Sequence, residues 1–272
     1  MLLYRNPAKN QAQARREEHI LQYKEGCFLN PMLIFPLTVT DAAQFAVSNL
    51  HKMDIQTIDH PAPEITHLLL DVPSFSPDGK PRTGTDIQEV LDRIPPDVTV
   101  IGGNLFHPAL LNYNTIDLLQ DEEYLALNAV ITADCALQVA AQHLTTTFRD
   151  TTTLILGWGR IGKCLAQLLN NLGAHITVAA RKASDRAMLK ALGYRAVDFS
   201  HLPNTSRLVF NTVPGQDFGN FSNCVKIDLA SQKSLRGDDV IWARGLPGTI
   251  APESSGALIS QTISRLCKEV AL

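Results

Sequence analysis

Three glycines, Gly157, Gly159 and Gly162, stand in G-x-G-x-x-G spacing inside the segment LILGWGRIGKCLAQLL. The chemistry that this spacing serves is the binding of a pyrophosphate. Gly157 permits a tight turn out of a strand, Gly159 lets the backbone approach the anion, and Gly162 lets the next helix pack against that strand. The free N–H groups at the start of the helix then point at the phosphate. Trp158, Arg160 and Ile161 belong to the same turn, and the Arg160 cation lies either over the pyrophosphate or out in solvent. The motif is weak alone and gains force from its context. A β-branched and leucine run precedes it. An amphipathic stretch follows, with Ile161, Leu165, Leu168, Leu169 and Leu172 as its apolar stripe.

The second apolar run, HITVAA, ends at Ala180, where dinucleotide-binding units that take NAD carry a carboxylate for the ribose hydroxyls. Here Arg181 and Lys182 follow, with Ser184 beyond. A carboxylate would repel a 2′-phosphate, whereas a guanidinium can bind one in a bidentate way. The pattern favours NADP(H) over NAD(H). The competing reading is a solvated pair of charges at a strand end.

Further candidates lie at later strand ends. LVFNTVPG offers Asn211, Thr212, Val213 and Pro214, VKIDLASQ offers Asp228, Ala230 and Ser231, and WARGLPG offers Gly245, Leu246 and Pro247. Each is explicable as turn chemistry; at consecutive strand ends they read together as one cofactor cleft. For catalysis, Asp134 is a candidate base and Ser231 a second candidate. Arg244 could hold a substrate carboxylate, and His143 is more simply structural. No metal site is expected, because the five cysteines (Cys27, Cys135, Cys164, Cys224 and Cys267) are scattered without a CxxC pair.

The elements that must position these groups alternate between strand and helix, which predicts an α/β fold of two Rossmann-like, doubly wound parallel-sheet domains, the second binding the dinucleotide. In the first, a flavodoxin- or Rossmann-like substrate domain over residues 1–127, AQARREEHILQY reads as a helix and PMLIFPLT as a short strand between prolines. DAAQFAVSNLHKM reads as a helix capped by Asp41, Ile65–Pro73 and Asp97–Asn104 as strands, and DIQEVLDRI as a short helix. A linking helix at 128–144, with helical spacing clearest from Thr132 to Leu144, opens the cofactor domain at 128–252. Strands are predicted at Thr152–Leu156, His175–Ala179, Leu208–Asn211, Val225–Leu229 and Val240–Trp242, with helices at Ile161–Leu172 and Ala183–Leu192. A last helix, 253–272 and starting near Pro252, is expected to fold back on the first domain.

Composition bounds the partners. The 272 residues are 45% hydrophobic and 19% charged, with a net charge of −3 and no basic stripe, so nucleic acid is a poor partner. No uninterrupted apolar run approaches the ~20 residues of a membrane helix. MLLYRNPAKNQAQARREEH turns polar at once, unlike a secretory signal. A cytoplasmic location is expected.

The ordered set GWGRIGKCLAQLLNNLGAHITVAARK, NTVP, IDLAS and GLPGTIAPESSG resembles the family of dipicolinate synthase A subunits, and NAVITADCALQVAAQH resembles that family's linking helix. The resemblance runs from about Ile65 to Leu272. It implies two Rossmann-like domains and a nicotinamide cofactor. It also implies a role, with a flavoprotein B subunit, in oxidising dihydrodipicolinate to dipicolinate in sporulating bacteria. A small dicarboxylate substrate and a homo-oligomer are expected with it. Two departures bear on the substrate pocket: no opening strand with Gly-Gly-Asp is found in MLLYRNPAKNQAQ, and Ser231 is followed by QKSLRGD rather than Arg-Pro-Gly-Gly. The glycine turn is also similar to that of the D-2-hydroxyacid dehydrogenases. No His follows His201 here, however, and Ser231 stands where their Arg would be, so the acid and the carboxylate clamp of that chemistry are missing. An NAD(P)-dependent enzyme of the 2-hydroxyacid dehydrogenase kind therefore ranks below the dipicolinate reading as an alternative, beside a dinucleotide-binding regulatory module without chemistry.

Overall fold

Two parallel sheets organise the residues described by this computed structural model, 32–76 and 79–270. The expected helix AQARREEHILQY and the segment MLLYRNPAKNQAQ lie outside them. One unit gathers the described residues up to Val39, Ala46–Leu119 and the chain from Ile259; the other holds Thr40–Phe45 and Gln120–Leu258.

The first sheet contains β1 (Leu33–Leu37), β2 (Gln56–Thr57), β3 (His67–Leu70), β4 (Thr99–Gly102) and β5 (Asn114–Asp117) in the order β2-β1-β3-β4-β5, parallel throughout. This is the flavodoxin-like order, with its switch point between β1 and β3. Pro36 is tolerated inside β1 because β2 pairs only with Leu33 and Ile34, leaving that edge free where the ring lacks an N–H. Phe35, Leu68, Leu70, Val100 and Leu105 join Val90 and Leu91 of α2 (Ile87–Leu91) in one core. Asp117, at the end of β5, orders the loop after β4 by accepting from the backbone N–H of Asn104, Leu105 and Leu119 at 2.9–3.0 Å.

His67, on β3, is held neutral by burial, which lowers its pKa from 6.5 to about 4. Because the folded value lies below the unfolded one, protons favour unfolding. Stability from this residue is complete above pH 6.5 and lost as the pH falls towards 4. Acid titration of unfolding should show this loss, and His67→Gln should flatten it; an unchanged profile contradicts the assignment.

The second sheet runs β11-β10-β9-β6-β7-β8, again parallel. Its strands are β6 (Thr152–Leu156), β7 (His175–Ala179), β8 (Arg195–Val197), β9 (Leu208–Asn211), β10 (Val225–Asp228) and β11 (Val240–Trp242). In sequence terms this is the 3-2-1-4-5-6 order of the dinucleotide fold, with its switch point between β6 and β9. The helices are α1 (Asp41–Lys52), α3 (Glu122–His143), α4 (Arg160–Asn171), α5 (Ala183–Ala191), α6 (Leu246–Ile250) and α7 (Pro252–Val270). Ile155, Val178, Phe210 and Ile227 form a core with Leu165 and Leu169 of α4 and the small face Ala133, Ala136 and Ala140 of α3. These alanines let α3 lie close to α4. α3 is long and apolar enough to cross a membrane by length and composition alone, and 44% of its most apolar window is buried within the protein.

Several boundaries differ from expectation. Thr40 rather than Asp41 caps α1, its Oγ1 accepting from Ala43 N at 3.3 Å. α3 begins at Glu122, well before Thr132, because Asp121 caps it by accepting from Tyr124 N at 2.7 Å. β2, β5, β8 and α6 have no counterpart among the elements expected from the hydrophobic pattern.

Candidate functional site

All strands of the second sheet point one way, so the residues after their carboxyl ends share an edge. Gly157 follows β6 at φ 106°, a conformation that favours glycine. A Cβ there would also collide with Thr212 Oγ1 and come within 2.8 Å of Val213 Cγ2. The turn is pinned by Gly157 N donating to Ala179 O at 2.9 Å, and by the N–H and hydroxyl of Thr212 donating to Leu156 O at 2.9 and 2.8 Å. Gly162 is equally constrained, since a Cβ would overlap the carbonyl oxygen of Gly157. Gly159 is different: nothing lies within 4 Å of where its Cβ would be. It is the N-cap of α4 and supplies no side-chain cap bond, so the first N–H groups of the helix remain without a capping side chain. Two crowded glycines and one open glycine over an uncapped helix make a cradle that fits a dinucleotide pyrophosphate.

Other predicted contacts are placed as follows. Arg160 pairs with Glu122 in the first turn of α3; exposed pairs of this kind are weak, so its cation is cheaply released. Trp158 is half-buried, with its ring centroid 6.1 Å from that of Tyr194 and Lys163 Nζ 5.9 Å from its own. Ile161 packs against the core. Arg181 and Lys182 are exposed at the end of β7, where no carboxylate stands between Ala180 and Ser184. Gly245 caps α6 at φ 73°, but the side chains of Leu246 and Pro247 turn inward and are buried, leaving only backbone at that point.

Asn211 and Asp228 position loops. Asp228 is 0% exposed. Its Oδ1 accepts from Asn211 Nδ2 at 2.8 Å and Ala230 N at 3.1 Å, and its Oδ2 from Ser234 N at 2.7 Å and Leu235 N at 2.9 Å. Asn211 also accepts from Val213 N at 3.0 Å and donates to Val213 O at 3.1 Å. Ser234 Oγ donates to Val213 O at 3.0 Å, and Trp242 Nε1 to Ala230 O at 3.2 Å. An ion pair between Arg236 and Asp217 ties the same two loops further out. The network holds Val213, Pro214 and Ala230 at the sheet edge, and its buried polar atoms are spent internally. These donors to Asp228 escape a reading of the sequence alone, because an Asp at a strand end reads equally as a ligand contact.

The catalytic candidates are both exposed. Ser231 lies on the loop after β10. Asp134 lies on α3; the thiols of Cys135 and Cys164 are pushed up first by burial and then by its carboxylate, which puts it near the second turn of α4. His143 and Arg244 are exposed at the end of α3 and before α6. Asp198, Ser200 and His201 bond to one another after β8, but all within one local turn. No cluster of three or more metal-ligating side chains occurs among the described residues.

Residues 126–220 match the family described as D-isomer specific 2-hydroxyacid dehydrogenase, NAD binding domain. A curated relative, the A subunit of dipicolinate synthase from Bacillus subtilis (strain 168), is 24% identical over 238 residues, 77% of this chain and 80% of that protein. The chain is homologous to the dipicolinate synthase A subunit. The crystal structure of dipicolinate synthase, A chain, from Bacillus subtilis superposes with a TM-score of 0.72 at 20% identity, covering 89% of this chain and 97% of that one. The corresponding dipicolinate synthase structure from Bacillus halodurans gives 0.73 at 19% identity, over 90% and 99%. A transhydrogenase from Sinorhizobium meliloti gives 0.61 at 10% identity, over 89% and 94%. The two dipicolinate synthase structures share both α/β domains with the chain, and the matched family makes its second domain a dinucleotide-binding, dehydrogenase-type unit.

Proposed function

We propose that this chain is an NADP(H)-binding oxidoreductase subunit that oxidises dihydrodipicolinate to dipicolinate during sporulation. In this reading it acts on a small dicarboxylate in the cytoplasm, as a homo-oligomer whose partner is a flavoprotein B subunit. The observation that carries the cofactor choice is the end of β7. Arg181 and Lys182 are exposed there, and the carboxylate that would read ribose hydroxyls is replaced by Ala180. The homology to the dipicolinate synthase A subunit carries the substrate.

Oxidation of a dihydropyridine removes one hydride and one proton and leaves an aromatic ring, so aromatisation supplies the drive. The nicotinamide cofactor supplies the hydride acceptor when bound. The chain's own residues bind and orient: the glycine turn takes the pyrophosphate, Arg181 the 2′-phosphate, and the Asn211–Asp228 network fixes the loops at the sheet edge. Asp134 and Ser231 are the proposed groups for moving the proton. Placement dominates such a reaction, which accords with the lack of an acid and carboxylate clamp of the hydroxyacid dehydrogenase kind.

Titrating the protein with NADPH and NADH tests the cofactor; tighter binding of NADH overturns it. Arg181→Ala should weaken NADPH by about 1–3 kcal/mol, the worth of a charge-assisted bond, and leave NADH unchanged. Turnover of dihydrodipicolinate, with and without a flavoprotein partner, tests the reaction, and its absence in both leaves a dinucleotide-binding module without chemistry.

A further inference from the structure

Arg186 is the fourth residue of α5 and is half-buried. Its Nη1 donates to two backbone carbonyls at once, Ala180 O at 2.8 Å and Arg181 O at 2.7 Å. Both carbonyls belong to the turn between β7 and α5. Arg186 N donates to Lys182 O at 3.2 Å, so one residue anchors three consecutive carbonyls. No side chain caps α5, whose N-cap is Lys182.

The electrostatic consequence concerns what the turn can bind. A ribose 2′-hydroxyl is a donor and is served by acceptors, such as a carboxylate or a free carbonyl oxygen. A 2′-phosphate is an anion and is repelled by the same groups. The guanidinium takes up the carbonyl oxygens of Ala180 and Arg181 and remains fully charged. The turn is thereby changed from an acceptor surface to a cationic one. The local charge is Arg181, Lys182 and Arg186 against the single carboxylate of Asp185. Arg181 and Lys182 extend into solvent. Arg186 fixes the backbone that presents them.

We infer that Arg186 is a positioning residue for cofactor choice, covering the carbonyls of Ala180 and Arg181 so that the turn accepts a 2′-phosphate and discriminates against a bare ribose. This rests on the NADP(H) reading and adds a second determinant to it, one that does not itself need to touch the cofactor.

The test uses the full chain and four probes by calorimetry: NADPH, NADH, 2′,5′-ADP and 5′-AMP. Arg186→Gln keeps an N–H donor but loses the charge. It should weaken NADPH and 2′,5′-ADP about tenfold while NADH and 5′-AMP change less than about twofold. Arg186→Lys, which keeps charge and donors, should restore most of the phosphate preference; it also serves if Arg186→Gln does not fold. If all four probes weaken together, Arg186 is merely structural and the inference fails. If the wild type prefers NADPH and the ratio survives in Arg186→Gln, the inference alone fails. A wild type that prefers NADH overturns the cofactor reading and this inference with it.

Discussion

Gly159→Ala will keep the stability of the wild type and lose cofactor binding, whereas Gly162→Ala will lose stability as well as affinity. At Gly159 a Cβ meets nothing within 4 Å, and φ is −82°, a conformation open to any residue. In the proposed site the empty space is where a pyrophosphate would approach the N–H groups of α4, so a methyl there would obstruct ligand and nothing else. At Gly162 the Cβ would overlap the Gly157 carbonyl oxygen and lie 3.1 Å from its carbonyl carbon. Both are backbone and cannot swing aside. α4 must move off β6, at a cost of about 1–3 kcal/mol. The same movement displaces the helix N–H groups, so the affinity falls as well. Thermal melts and NADPH titrations of the two variants separate the effects. Wild-type binding by Gly159→Ala would remove the glycine turn from the site.

Asp228→Ala should destabilise the second unit by about 3–5 kcal/mol, because each buried donor left without its acceptor costs about 1–3 kcal/mol and the losses are not independent. Four donors lose their acceptor together: Asn211 Nδ2 and the N–H groups of Ala230, Ser234 and Leu235. Asp228→Asn keeps the shape but turns an amide NH2 onto two of those donors, and so recovers only part of the loss. Urea unfolding followed in the second unit measures both. A cost below about 1 kcal/mol for Asp228→Ala would mean that the loops close without it.

The dinucleotide unit is legible in the sequence where local pattern and topology agree. The apolar runs of β6, β7, β9 and β11 and the glycine turn can be located to the residue, because buried parallel strands are continuous and glycines have few other uses there. The edge elements cannot. β5 reads Asn-Thr-Ile-Asp and β8 Arg-Ala-Val, with little to distinguish them from loop. α6 reads as a loop because Gly245, Pro247 and Gly248 look like turn residues, although Pro at the first helical positions is also a helix start. Within the site, the partner of Arg160 is Glu122, far back in the chain, and the donors to Asp228 come from three separate stretches. Such pairings depend on tertiary placement that no spacing rule encodes. Arg186 is hidden for the same reason: its targets are carbonyls, which carry no sequence identity.

The chain has two tryptophans, and both lie in the second unit, Trp158 inside the glycine turn and Trp242 at the end of β11. The tryptophan emission of the protein therefore comes from the second unit alone. Trp158 also sits where the reduced nicotinamide cofactor, which absorbs in the range of indole emission, would dock. Emission should be quenched by energy transfer when the reduced cofactor binds and much less when the oxidised form does. Trp158 would then act as an optical gauge of the redox state of a nicotinamide cofactor bound in that turn.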